Sequence, residues 1–148
     1  MEDPSATPAV ASSLRFDNFQ VQEVHLRTDP AATAAGFNYT VNFYPSGRLD
    51  WALGRFELLL RVAVSTDDGL FEADIKTLSR FSFDGGQPVE PFYNLLCYNA
   101  PALVFPYVRA YIGALTALSG LPTVLAPVFD LSGLAGPLRA AIEEVKGA

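Results

Sequence analysis

The segment from Asn99 to Leu131, NAPALVFPYVRAYIGALTALSGLPTVLAPVFDL, constrains the fold of this chain more than any other stretch. It is too apolar for a helix with a wide water-facing side. A transmembrane helix needs about 20 uninterrupted apolar residues, whereas Arg109 lies in the middle of this segment and two prolines follow. We therefore expect a helix from about residue 102 to 119 that is buried on several sides, with Pro106 in its first turn.

The composition of the whole chain shows the same surplus of apolar residues. Half of its 148 residues are hydrophobic, and charged residues make up 18%, against roughly 25% in an average soluble protein. The net charge is −6 and the ten Lys and Arg residues are scattered, so we expect no nucleic-acid partner. A single cysteine, Cys97, excludes an internal disulfide framework and favours the cytoplasm.

The N-terminal stretch MEDPSATPAVASS differs from the rest of the chain. It lacks the basic start and apolar core of a secretory signal. We interpret residues 1–13 as a disordered tail and residues 14–148 as a single domain.

Four antiparallel strands are predicted before the apolar helix. LRFDNFQVQEVHLRT changes its phase of alternation, which predicts a bulge near Gln22 and Glu23. FNYTVNFYPSG alternates until Pro45–Gly47, where we expect the second strand to end. Two further strands form a hairpin around Asp67–Gly69. Their apolar faces are Phe56, Leu58, Leu60, Val62 and Val64, and Phe71, Ala73, Ile75, Phe81 and Phe83.

The C-terminal part predicts a second helix after an extended linker, GLPTVLAPVFD. In LSGLAGPLRAAIEEVKGA the apolar residues Leu134, Leu138, Ile142 and Val145 recur at helical spacing. The predicted fold class is α+β, a four-stranded antiparallel sheet with two C-terminal helices packed on one face. One sheet covers only one side of the apolar helix, so we expect a homo-oligomer. Its predicted interface is Tyr107, Val108, Tyr111, Ile112 and Leu115.

Candidate catalytic residues are few. The chain has one histidine, His25, and one cysteine, Cys97, whereas metal sites and nucleophilic triads need several converging His, Cys or carboxylate groups. Gly85-Gly86-Gln87 matches a tripeptide that release factors use for ester hydrolysis, but it lies between a strand and a loop. We expect no enzymatic activity, no cofactor and no metal.

The apolar segment resembles the first helix, crossover loop and second-helix start of SecB, the bacterial protein-export chaperone. FPYVR, Gly120 with Pro122, and LAPVFDL carry the resemblance, and FELLLRVAVS and FSFDGG match the family's third and fourth strands. The resemblance implies a dimer of dimers, that is, a homotetramer. It also implies a cytoplasmic, ATP-independent holdase that keeps unfolded polypeptides, in particular preproteins, competent for translocation. Such a protein passes them to the SecA motor without entering the membrane.

The resemblance also implies positions for two functional surfaces. Glu23 and Asp74 match the acidic face that docks SecA. Arg27 replaces an acid there, Glu72 replaces an apolar residue, and the long acidic tail of well-known members is missing. The client-binding groove would comprise Tyr39, Val41, Phe43, Phe81, Phe83, Leu125, Val128, Leu131, Leu134 and Leu138.

Two other functions fit the same sequence. SecB-like proteins also serve as dedicated chaperones of an antitoxin in toxin–antitoxin modules, and this shortened chain is compatible with that role; the departures from the acidic face weaken the expectation of SecA binding. A small apolar-ligand binding protein, from another class, would use the same sheet and helix layers. The sequence leaves open the clients, SecA as a partner and the register of the second strand.

Overall fold

A computed structural model describes residues 14–32, 38–121 and 131–146. They form a mixed sheet of five strands with a long helix packed on one face. The elements in chain order are β1 (Leu14–Thr28), β2 (Tyr39–Asp50), β3 (Arg55–Thr66), β4 (Phe71–Phe83), α1 (Val89–Leu118), a 3₁₀ turn (Leu131–Leu134), α2 (Ala135–Ala140) and β5 (Ile142–Glu144). The predicted N-terminal tail, residues 1–13, lies outside the described residues.

The strand order is β1-β4-β3-β2-β5, with every neighbouring pair antiparallel except β2 and β5, which are parallel. β1 shifts register at Gln22, where a bulge was predicted, and also at Asp17, which was not. Each extra residue reverses the phase of the strand. As a result, one face of β1 carries Phe16, Phe19, Val21, Val24 and Leu26.

The β3–β4 hairpin has the predicted turn and the predicted faces. All ten residues assigned to its two apolar faces are buried. The apolar residues alternate strictly along both strands, so a register slip of one residue would turn all of them to the opposite face of the sheet. The alternation therefore predicts which face of each strand is buried.

β2 is longer than predicted. It continues through Pro45–Gly47 to Asp50, pairing with β3 throughout. β5 flanks its other side only from Gly47 onward, and proline is tolerated at such an edge. Gly47 is required for a different reason: a Cβ atom there would lie 2.7 Å from Cε1 of Phe56. The register left open by the sequence is now set, with Val41 opposite Val64 and Phe43 opposite Val62.

α1 is also longer than predicted, with 30 residues beginning at Val89. Pro101 and Pro106 both lie inside it, so the expectation that Pro106 occupies the first turn is wrong. An interior proline costs about 3 kcal/mol, while burial of one large apolar side chain stabilises by about 1.5–3 kcal/mol. The free energy gained by burying one row of α1 side chains against the sheet exceeds the cost of the two prolines. The members of this row recur at every fourth position: Phe92, Leu96, Ala100, Val104, Val108 and Ile112.

α1 ends in a Schellman motif. Gly120 has φ +79°, and the N–H of Leu121 donates to Thr116 O at 3.1 Å while that of Gly120 donates to Ala117 O at 3.4 Å. The predicted extended linker follows, and its residues 122–130 lie outside the described part.

The C-terminal region corrects two predictions. α2 has only six residues, and the chain then adds β5 to β2, so the sheet has five strands instead of four. Gly136 and Pro137 lie within α2, and both are poor helix formers. The exposed edge of β2 offers backbone partners to Ile142–Glu144 that a longer helix would leave unused.

Candidate functional site

The first half of β2 carries an apolar row next to α1. Tyr39, Val41 and Phe43 are half-buried and lie on the face that α1 covers. The rings of Phe43 and Phe105 are in edge contact, with centroids 6.2 Å apart. Among the described residues, β5 is the only element on the outer edge of β2, and it reaches only Gly47–Leu49.

The other predicted groove residues divide into two groups. Phe81, Phe83 and Leu138 are buried in the core; Phe83, for example, packs on Phe92 with ring centroids 4.5 Å apart. Leu134 is half-buried. Leu125, Val128 and the side chain of Leu131 fall outside the described residues. The structure thus brings the β2 row together with α1 and places the aromatic residues of β4 beneath the helix.

α1 also carries large apolar side chains that the sheet leaves exposed. Tyr98, Leu103, Tyr107 and Leu118 are 53, 42, 53 and 88% exposed. Between Leu95 and Leu118 the sequence contains one charged residue, Arg109. The predicted interface residues divide between the two sides: Val108 and Ile112 are buried against the sheet, whereas Tyr107 is exposed and Tyr111 and Leu115 are half-buried.

The candidate catalytic groups lie far apart in different environments. His25 is exposed and its Nε2 lies 2.6 Å from Oε1 of Glu23, whereas Cys97 is buried and burial raises the pKa of its thiol. Gln87 donates from Nε2 to the carbonyl of Asp84 at 3.2 Å, as a turn residue does. Within residues 14–32, 38–121 and 131–146, no group of three or more His, Cys, Asp or Glu side chains is arranged to hold a metal.

A polar cluster at the C-terminus was not predicted. Trp51 Nε1 donates to Glu144 Oε1 at 3.1 Å, and the hydroxyl of Tyr93 donates to the same oxygen. These bonds, from Tyr93 first and then Trp51, lower the pKa of the Glu144 carboxyl. Burial and the bond to Glu144 raise the pKa of Tyr93. The only sequence signal was a single tryptophan at a tight turn between two strands.

Arg139 extends this cluster to the start of α1. Its Nη2 donates to Glu90 at 2.5 Å and its Nη1 to Asn94 at 3.4 Å. The guanidinium carbon lies 5.0 Å from the ring centroid of Tyr93. α2 and β5 are therefore both attached to the first half of α1.

Comparison with known proteins identifies the fold. The structure superimposes on a SecB-like chaperone of Mycobacterium tuberculosis, solved in complex with a ChAD peptide from the HigA1 antitoxin. The TM-score is 0.69 and the identity 17%, over 80% of this chain and 91% of that one. This chain has a SecB-like fold.

Other comparisons add less. No protein-family model matches the chain. A protein of unknown function from Streptococcus agalactiae superimposes with a TM-score of 0.48 and 14% identity, over 80% of this chain and all of that one. A stretch of 48 residues is 44% identical to an uncharacterized protein of Methanocaldococcus jannaschii. That match spans 32% of this chain and only 28% of the archaeal protein.

In this SecB-like fold, Glu23 and Asp74 lie on the sheet face away from α1, and both are bonded to basic groups. Glu23 is 2.6 Å from His25 and 3.3 Å from Lys76; the hydrogen bond with His25, followed by that with Lys76, lowers its pKa. Asp74 accepts three hydrogen bonds of 2.5–3.0 Å from Arg61, which lower the pKa of its carboxyl. Much of their charge is therefore balanced locally.

The rest of that face also carries both signs of charge. A depression of about 570 Å³ is bordered by strands β1, β3 and β4. Arg27 and Glu72, which line it, form an ion pair at 3.5 Å. The face is thus mixed in charge, with Glu23 and Asp74 among its acidic groups.

α1 is long and apolar enough to span a membrane, with a mean hydropathy of 1.3 in its most apolar window. In that window 39% of the residues are buried inside the structure, because one side of α1 packs on the sheet. The same test is met by the core helices of soluble proteins, so it is weak evidence for a membrane span.

Proposed function

We propose that this SecB-like chain is an ATP-independent chaperone that binds unfolded polypeptides. The observation that carries the proposal is the half-buried apolar row Tyr39, Val41 and Phe43 on β2. An extended client segment placed along this row buries apolar side chains against it. Folded proteins keep such side chains in their cores, so the row selects unfolded chains.

Two client classes fit this surface. The Mycobacterium tuberculosis neighbour is in complex with a peptide from an antitoxin, which supports an antitoxin segment as the client of this chain. The sequence resemblance supports preproteins held for Sec-dependent export and passed to SecA. The ion pairs of Glu23 and Asp74 leave less free negative charge for SecA, so we favour the antitoxin class.

We further propose a cytoplasmic homotetramer. Tyr98, Leu103, Tyr107 and Leu118 of α1 are large apolar side chains exposed to water, and contiguous exposed apolar surface marks protein contacts. A second copy of the same helix is an economical cover, since an isologous contact pairs one surface with itself.

A dilution assay tests the chaperone function. A reduced, chemically unfolded client is diluted from denaturant with and without the protein, in the absence of nucleotide. We expect the protein to suppress light scattering by the client at near-stoichiometric ratios. A protein that binds only a small apolar ligand would saturate with that ligand and leave client aggregation unchanged, which would contradict the proposal.

A second comparison separates the client classes. The affinity for a peptide from an antitoxin is measured beside that for a reduced preprotein, and binding of SecA is measured by the same method. Tighter binding of the antitoxin segment with no SecA binding supports the dedicated role. Comparable client affinities together with SecA binding support export.

A further inference from the structure

The middle of α1 contains two prolines, Pro101 and Pro106. A proline inside a helix has no N–H to donate, and its ring clashes with the carbonyl group four residues earlier. The carbonyls of Cys97 and Ala102 therefore lack the donors that continue an α-helix. Helices bend most readily at such positions, so residues 97–106, here called the proline segment, are where α1 bends at the least cost.

The proline segment covers part of the apolar row of β2. Phe105 belongs to this segment, and its ring lies in edge contact with that of Phe43, with centroids 6.2 Å apart. We propose that the proline segment lifts from β2 as α1 bends, which uncovers Phe43 and Phe105 together for a client. This inference rests on the proposed function and names a conformational step that regulates binding at the same row.

Contacts at the start of α1 hold that end of the helix in place. Glu90 and Asn94 accept hydrogen bonds from Arg139, and the hydroxyl of Tyr93 donates to Glu144. These bonds attach the first turns of α1 to α2 and β5, so they do not depend on the position of the proline segment.

Beyond the proline segment, α1 is attached to a different strand. The ring of Tyr107 packs on those of Phe16 and Phe19 of β1, and Val108 and Ile112 are buried against the sheet. Two strands separate β1 from β2. Both ends of α1 therefore remain attached while its middle moves away from β2.

The bent state is a minor state in the absence of a client. Val104 and Phe105 are buried in the structure, and lifting the proline segment exposes them to water. Minor states of this kind are populated at roughly 0.1–10%. A client whose apolar side chains cover Phe43 and Phe105 restores the lost burial. Its apparent dissociation constant is the intrinsic one divided by the fraction of molecules with α1 bent.

Pro106→Ala tests the inference. Pro106 is exposed, so its replacement removes little packing, and alanine supplies the N–H that Ala102 O lacks. The unbent helix is then stabilised relative to the bent one. We expect Pro106→Ala to bind a reduced, unfolded polypeptide about tenfold more weakly than wild type, because the bent fraction falls by about that factor.

Two further variants serve as controls. Pro91 is exposed in the first turn of α1, where an N–H has no intrahelical acceptor, so Pro91→Ala should bind as wild type does. Pro106→Gly supplies the same N–H as Pro106→Ala with a residue that weakens helices. It should therefore lose less affinity than Pro106→Ala.

Amide hydrogen exchange without client measures the bend itself. Exchange of residues 102–105 should be about tenfold slower in Pro106→Ala than in wild type, and unchanged in Pro91→Ala. Equal exchange in wild type and Pro106→Ala, or equal affinity of the two for the unfolded polypeptide, would overturn the inference alone. Wild type that binds no unfolded polypeptide would overturn the proposed function, and the exchange rates would still decide whether α1 bends.

Discussion

The ring of Tyr107 on α1 stacks on the ring of Phe16 on β1, with centroids 5.2 Å apart and 18° between the planes. The ring of Phe19 lies 5.5 Å from that of Tyr107. Tyr107 nonetheless remains 53% exposed. Tyr107 thus connects the exposed apolar part of α1 to the apolar face of the edge strand β1, and this joint surface is the one that we assign to contact between copies.

Replacement of Tyr107 by aspartate should break the assembly. A charge placed in an apolar contact is costly when it has no partner, so Tyr107→Asp and Tyr111→Asp should lower the mass from near four times 16.0 kDa to that of a dimer or monomer. Light scattering after size-exclusion chromatography measures this, with Tyr107→Phe as the control that keeps the ring. Unchanged mass in both aspartate variants would show that α1 does not form the interface.

Removal of the Ser79 hydroxyl should stabilise the protein. Ser79 lies on the α1 side of β4, and its Oγ is buried with no hydrogen-bond partner among the described residues. A buried unsatisfied polar group costs about 1–3 kcal/mol, so Ser79→Ala should raise the urea midpoint. Ser82→Ala is the control, because its hydroxyl accepts from Arg15 at 3.2 Å and donates to Asp17 at 3.1 Å. A lower midpoint in Ser79→Ala than in wild type would contradict this account.

The Arg61–Asp74 pair should make a small, pH-dependent contribution to stability. Arg61 lowers the pKa of Asp74 below its ordinary value of 3.8. The contribution is therefore complete above about pH 4 and is lost as the pH falls through the lowered pKa. Denaturation of wild type and Asp74→Asn between pH 7 and pH 2 should show a difference that disappears at the acid end. A difference that stays constant over that range would exclude the pair as its source.

Cys97 should be unreactive in the native protein. The side chain is buried, which raises the pKa of the thiol and leaves little thiolate for reaction. We expect a disulfide reagent at pH 8 to react roughly 100-fold more slowly with the folded protein than with the protein in guanidinium chloride. Equal rates in the two conditions would mean that α1 is not seated on the sheet as described.

The parts of the fold that depend on strict alternation could be predicted from the sequence. The hairpin β3–β4 and the bulge at Gln22 follow from the alternation of apolar and polar residues, which can be seen in the local sequence. β5 could not be predicted in this way, because Leu134, Leu138 and Ile142 fit a helical spacing. Its conformation is decided by the free edge of β2, which is distant in sequence.

The sequence predicted the candidate site only in part, because the packing of α1 decides which apolar residues stay accessible. Alternation shows that Phe81 and Phe83 share an apolar face, but it does not show how much of that face a helix covers. α1 begins at Val89 instead of near Ala102, so Phe92 packs on Phe83 and closes that part of the face. Among the predicted groove residues whose burial the structure describes, the β2 row and Leu134 remain half-buried.

The most direct test of the central claim is calorimetric titration with one permanently unfolded, reduced polypeptide, beside its folded form. We predict that wild type binds only the unfolded form, with the negative heat-capacity change of apolar burial. Val41→Asp, on the apolar row, should lose this binding, whereas Thr40→Asp, on the exposed opposite face, should keep it. Equal binding of both forms, binding of neither, or full binding by Val41→Asp would contradict the account.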